Sequence, residues 1–560
     1  MYRRSSLLLL IVALPLAALA QTSPHSAGNT ARPSLDDLLE LVPDDVALVA
    51  VIQDLAAFAG GIQEFGAAIG VDDLVETDSA AILADLDITA LPADWRDRIN
   101  RRGPLVLAQP EPDCEPLLLA TITEPADVPT GELVKIKGRI LIAAPDAEIL
   151  RATTSASGRF ARRFKENAAA TLESHGVVIF LDAPAWATKM EQMLTMGEMF
   201  AQMGAAMTSQ PAQSNLALVN WLFQSLRTAY GETETLVLAG RINGDGLHFN
   251  KLIRFEPGGK IAEYLGKVRK SDKDLLRNLP AQPGMIIMGA EWTLPPDVQT
   301  FSEHMLDVML AAAPDTPGDA DWKKTTEQAK GLYRRIAGYN GVVSSAADQP
   351  GMLAHGFYLA ENAPAMMDNF HALWKVSMPL MSTMAPGFEM EVTDEVEMIG
   401  SARARTYHMK FTTGDEQMQR MLNSMYGEST TFCIAPHAEG IAFAMGPGNV
   451  ARQRLEKLLA GEGTPLGADP RVAAALEKLS PKPQVLVLVD LPRLMLWGLK
   501  ISGVPAPPLP QEAPPPYVGL TVHLHQTSCT TELFVPARTV KALTDFVQGP
   551  AGAPTGPEAY

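Results

Sequence analysis

Cysteine is scarce in these 560 residues: only Cys114, Cys433 and Cys529 occur. Three thiols close at most one intramolecular bridge, which excludes a disulfide framework. A chain of this length needs none, because its core can be large. Positive charge is also short. There are 46 basic residues against 64 acidic ones, a net charge of −18. Losing Arg3 and Arg4 with a cleaved leader leaves 44 against 64, or −20. Such a field repels phosphate backbones and anionic lipid, so nucleic acid is not an expected partner. Familiar catalytic signatures are missing: no Walker A loop, no Gly-x-Gly-x-x-Gly, no His-Glu-x-x-His, no Cys-x-x-Cys and no Gly-x-Ser-x-Gly. Their absence lowers the case for an enzyme, although sites assembled from distant residues leave no motif. No cofactor is indicated.

Long apolar runs are absent too, and the longest stretch says where the chain goes. Arg3 and Arg4 precede an uncharged apolar run from Leu7 to Leu19, which closes on Ala18-Leu19-Ala20 ahead of Gln21. That is the build of a cleavable signal peptide over residues 1–20. The run is shorter than the ~20 residues a membrane span needs, and no transmembrane segment is expected after cleavage. Ser6 stands where a twin-arginine signal has a large apolar residue, which favours the general secretory route. No cysteine follows the small residues, so no lipid anchor is expected. The mature protein is therefore expected to be exported, either periplasmic or extracellular.

The most informative positive feature is internal repetition. Val42-Pro43-Asp44-Asp45, the apolar run to Ile52 and Asp54-Leu55 align without a gap on Leu279 to Trp292, 237 positions on. Gly138 to Pro145 aligns with Gly440 to Pro447. Val177 to Pro184 aligns with Val485 to Pro492, at an offset of 308. The hairpin Leu236 to Phe255 matches Tyr517 to Val535. Four matches in one order predict a duplicated chain. Residues 21–35 form a disordered linker, 36–270 the first half, 271–548 the second, and 549–560 a disordered tail. Short apolar runs such as Leu48–Ile52 read as buried strands, and Asp- or Asn-headed segments such as Asp146–Thr154 and Asn449–Ala460 as helices. The expected fold is α+β: two related halves, each a mainly antiparallel sheet with helices packed largely on one face. Seven prolines between 505 and 516 predict a stiff extended connector.

Two constellations carry candidate chemistry. Met190, Met193, Met196, Met199, Met203 and Met207 recur every three or four residues, so one helix face carries them. Thioethers make adaptable apolar surfaces for a small molecule or a protein partner; they are also soft ligands for Cu(I). The ordinary alternative is core packing. A second Met cluster holds Met378, Met381, Met384 and Met390. His523 and His525 lie two apart on a strand with Cys529 across the turn, a three-ligand pattern for a metal without a visible fourth. The ordinary alternative is a pair of exposed strand histidines. The acidic residues that end the repeated strands (Asp54, Asp182, Glu291 and Asp490) are expected to cap helices.

The opening Val42-Pro43-Asp44-Asp45, the strand Leu48 to Ile52 and the helix start Asp54-Leu55 resemble a domain-of-unknown-function family of large secreted bacterial proteins. That family repeats a Leu-Pro-Ala-Asp turn, a buried strand and an Asp-Leu helix. The resemblance implies export, repeated α+β units and no assigned activity. The expected function is a non-enzymatic exported protein that binds an apolar ligand or a protein partner. The alternatives are a hydrolase whose site gathers scattered polar residues between the halves, and copper handling through the Met-rich segments.

Overall fold

Strands that are buried at every position, not every second one, must be covered on both faces. Leu105–Gln109, Leu117–Thr121 and Ile140–Ala143 are of this kind, and they set the architecture. The computed structural model describes residues 33–86, 91, 93–124, 132–207, 212–268, 274–291, 299–300, 302–303, 306–307, 320–345, 351–384, 388–503 and 514–548. The expected leader, nearly all of the linker, the tail and most of the proline-rich connector lie outside these residues. The fold is α+β, and every sheet pairing among the described residues is antiparallel. The chain forms two compact units. The first holds residues up to 195, 226–266 and 525–544; the second holds 196–225, 267–524 and the remainder.

In the first unit the strands are β1 (Leu48–Ile52), β2 (Leu105–Gln109), β3 (Leu117–Thr121), β4 (Val134–Lys137), β5 (Ile140–Ala143), β6 (Val177–Asp182), β7 (Thr233–Asn243) and β8 (Gly246–Phe255). Their order across the sheet is β4-β5-β3-β2-β1-β6-β7-β8. Helix α1 (Leu35–Leu39) is closed by a Ser34–Asp37 capping box, and α2 (Leu55–Ile69) is capped by Asp54. Helices α3 (Ala147–Thr154), α4 (Arg159–Asn167) and α5 (Ala169–His175) follow β5. One sheet face presents Leu105, Leu107, Leu118 and Leu141 to Phe58, Ile62 and Phe65 of α2. The other presents Val49, Val106, Leu119 and Ile142 to Leu38 of α1, Phe160 and Phe164 of α4, and Leu172 of α5.

In the second unit the strands are β9 (Ile286–Glu291), β10 (Gly338–Ser345), β11 (Met352–Leu359), β12 (Phe388–Ile399), β13 (Ala402–Thr413), β14 (Thr430–His437), β15 (Gly440–Pro447), β16 (Val485–Val489) and β17 (Val518–Leu524). Their order is β12-β13-β14-β15-β11-β10-β9-β16-β17. Leu332 from Ala320–Arg335 and Met366 from Ala363–Met384 pack with Tyr407, Phe432, Ile441 and Phe443. Residues alternate along β15, so Ala442 and Ala444 face the other way. Val450–Ala460 lies against β11, β14 and β15, burying Ala451, Leu455 and Leu458. Helices therefore cover both faces in each unit, where the expectation was largely one. The fully buried strands are the reason. The last strand, β18 (Ser528–Pro536), belongs to the first unit and pairs along β8 from Ser528 opposite Arg254 to Pro536 opposite Gly246.

Candidate functional site

The methionine stripe lies on α6 (Ala187–Met207), which follows β6 through a short 3-10 turn. Its base is fixed to the first unit. Trp186 is buried with Ala47 and Leu48, and its indole N–H donates to the Ala47 carbonyl at 2.9 Å. Lys189 pairs with Asp113 and lies over the Trp186 ring at 5.7 Å. Met190 packs into this small cluster.

Beyond that base the helix turns its thioethers outward. Met193, Met196, Met199 and Met203 are 45–53% exposed, and Phe200 between them is 64% exposed. The side chain of Met207 lies outside the described residues, as do those of Met378, Met381 and Met384. The partner helix α7 (Ala212–Gly231) runs back along α6. Arg227 Nε donates to Glu191 Oε1 at 2.9 Å, and Gln202 Nε2 to Asn220 Oδ1 at 3.1 Å. Gly197 lets the two helices approach closely: a Cβ there would meet Phe223 at 3.1 Å. Leu222 and Leu226 of α7 are exposed as well. The outcome is a helical hairpin held by polar contacts along its seam, with apolar side chains left in solvent. Fully burying one such side chain gains about 1.5–3 kcal/mol, so this face has affinity in reserve.

The histidine–cysteine set is arranged less compactly than its spacing implies. His523 is on β17, His525 falls in the turn beyond Leu524, and Cys529 is on β18. Among the described residues, no group of three or more His, Cys, Asp or Glu side chains is placed to hold a metal ion. Burial raises the pKa of the Cys529 thiol. Cys114, Cys433 and Cys529 are all free thiols. The strand-end acids divide in role. Asp54 and Asp490 accept from the helix N–H groups of Ala57 and Arg493. Asp182 and Glu291 form ion pairs with Arg163 and Arg277, and Asp490 does both, pairing with Arg471 as well.

Sequence reasoning missed a polar network in the second unit. Thr431 Oγ1 lies 3.3 Å from His408 Nδ1, and His408 Nε2 lies 3.1 Å from Glu395 Oε1. The order hydroxyl, imidazole, carboxylate is that of a nucleophile, base and orienting acid. Its surroundings do not suit that work. Thr431 is only 4% exposed. The same Glu395 oxygen is bound by Arg452 at 2.6 Å, and Arg452 Nε also reaches Glu397 at 2.9 Å. The His408 hydrogen bond, then the Arg452 charge, lowers the pKa of Glu395. Thr406 Oγ1 donates to Glu397 at 2.6 Å, beside a Cys433 thiol whose pKa burial pushes up to about 11. Cross-strand neighbours on β12, β13 and β14 supply these groups. Only the alternating pattern of β13, which puts Thr406 and His408 on one face, hinted at them.

A second chain links Asp394, Arg405, His371 and Tyr407. A guanidinium only donates, so His371 Nε2 accepts from Arg405 and Nδ1 donates to the Tyr407 oxygen. Burial, then Arg405, lowers the His371 pKa. Both chains fix strands and helices by hydrogen bonds. The exposed α6 face is available to something outside the chain. No family model, curated protein or solved structure matches this sequence or its fold.

Proposed function

We propose that this chain is exported and acts as a binding protein without catalysis, taking an apolar ligand or the apolar surface of a protein partner on α6. One observation carries the reading: Met193, Met196, Met199, Phe200 and Met203 are turned to solvent on a helix fixed at its base. A core role would bury them. Methionine suits such a surface, because its unbranched, polarisable side chain adapts to a partner's shape. The two helices are borne on a duplicated α+β scaffold. Support for duplication comes from the strand orders, in which β1 and β9 each lie between a strand that follows them and the strand that ends at Asp182 or just before Asp490.

The test is native purification from the exported fraction, with mass spectrometry of what travels with the protein. The comparison is a chain lacking residues 189–215 and a folded double variant, Met196→Gln with Phe200→Gln. Both should lose the bound species. Retention of that species by both variants would remove the reading. Recovery of the full-length chain in the cytoplasm with its leader uncleaved would remove export.

A further inference from the structure

The first unit carries a cleft of about 880 Å³ between α1, the β4–β5 turn and the start of α4. Its lining carries four basic side chains, Lys137, Arg139, Arg162 and Lys165, against three acidic ones, Asp36, Asp37 and Glu40, in a chain whose net charge is −18. A tight turn sets the basic rim. Lys137 pairs with Ile140 across the sheet, so Gly138 and Arg139 alone connect the strands. Gly138 takes φ 63°, a left-handed conformation that glycine adopts without strain. Lys137 and Arg139 thus project at a hairpin tip, and Arg162 adds a third cation from α4.

Most of the other charges in the cleft are already engaged. Lys165 pairs with Asp36 at 3.2 Å. Asp37 closes the capping box on Ser34. The amide end of α4 is taken by Asp44, whose carboxylate accepts from Ser157 Oγ at 2.6 Å and from the Arg159 N–H at 3.1 Å. Left over are Lys137, Arg139 and Arg162, which form no ion pair among the described residues, and two carboxylates: Glu40, just past the end of α1, and Asp37, whose capping bonds go to the uncharged groups of Ser34.

We infer that this cleft binds a phosphate group that carries an ammonium on a short arm. Three cations exceed what the two carboxylates neutralise. A phosphate monoester brings about −1.5 to −2 charge and three acceptor oxygens, which guanidinium forks grip in pairs. The ammonium goes to Glu40. The volume lies within the usual range for a small-molecule site, about 300–1,000 Å³. A phosphate with an ammonium two carbons away occurs in free phosphoethanolamine, a monoester, and in an ethanolamine phospholipid headgroup, a diester with a single negative charge that offers the guanidinium groups two free oxygens.

Calorimetry on the intact mature chain tests this, with phosphoethanolamine and inorganic phosphate as probes. Arg139→Ala with Arg162→Ala should weaken both by about tenfold or more. Glu40→Gln should weaken phosphoethanolamine alone and leave phosphate equal or tighter. All three side chains are at the surface, and an unchanged melting temperature will show that the variants fold. Absence of binding by either probe, or indifference to the arginine pair, overturns the site. Equal gains for both probes in Glu40→Gln overturn the ammonium half and reduce the cleft to an anion patch. Sedimentation with phosphatidylethanolamine vesicles, against phosphatidylglycerol vesicles, then separates a headgroup from a free solute.

Discussion

Arg471 donates to Asp490 at 2.7 Å, and each of these residues lies 308 positions after its counterpart in a second such pair, Arg163 with Asp182. In both units the acid ends a buried strand and the arginine comes from a helix. Arg471 also stacks on Tyr517 at 4.3 Å, and Arg163 lies over Phe180 at 5.7 Å. The pairs differ in depth: Asp490 is 1% exposed, Asp182 about 19%.

That difference sets an ordering. Removing one partner of a buried pair leaves an uncompensated charge, at about 3–5 kcal/mol. Asp490→Asn should therefore cost this much in urea unfolding, because Arg471 is left facing it. Asp182→Asn should cost less, about 1–3 kcal/mol. Equal losses would mean that burial does not decide the cost.

The methionine face should be separable from folding. Side chains with half their surface in water contribute little to the core, and surface substitutions away from special features shift stability by about 0.5 kcal/mol or less. Met196→Gln with Phe200→Gln should leave the unfolding midpoint in place. A loss of several kcal/mol would assign these residues to a core instead of a binding face.

His355 predicts an acid weakness in the second unit. Burial, then the charge of Arg454, lowers its pKa to about 3, against ~6.5 in an unfolded chain. Below pH ~6.5 the unfolded state takes up a proton that the native state refuses. Stability is thus full above that pH and falls as pH drops toward 3, at about 1.4 kcal/mol per unit. His355→Gln should be less stable than the parent at pH 8, and the gap should narrow or reverse on acidification. Parallel melting curves across that range would contradict this account.

Thiol labelling offers a further check. Cys433 is buried and its pKa is pushed up to about 11, chiefly by burial, so little thiolate exists at neutral pH. Iodoacetamide on the native protein should spare Cys433 and label it only after denaturation. Cys114, partly exposed, should react before it. Early modification of Cys433, located by mass spectrometry, would show that its surroundings open in the native state.

Much of the fold was legible because strand and capping signals are local. Leu48–Ile52 and Val485–Val489 form strands over the residues the apolar runs mark. Asp146 and Asp469 cap the helices that they head. The run from Arg159 to His175 holds no proline or glycine, yet its helix breaks at Ala168, where φ −130° leaves the helical range. The two-faced covering was harder to foresee, since a short apolar run does not say what lies on either side. The Thr431–His408–Glu395 chain was not legible at all: its members meet through cross-strand register, which a linear reading does not contain. The six methionines were legible as one face, but which of them would be exposed depended on where Trp186 fastens the helix.

The pairing of β18 with β8 places nearly the last strand to be synthesised beside one made almost three hundred residues earlier. Until Ser528–Pro536 emerges, the row of N–H and C=O groups along β8 has no strand to satisfy it on that side. A chain synthesised N-terminus first must therefore wait with an open sheet edge, a condition that invites pairing with other chains. Loss of the C-terminal strand by proteolysis would have its effect in the unit that the chain began, and chaperone dependence during synthesis would track residues 528–536 more closely than any site in the N-terminal half.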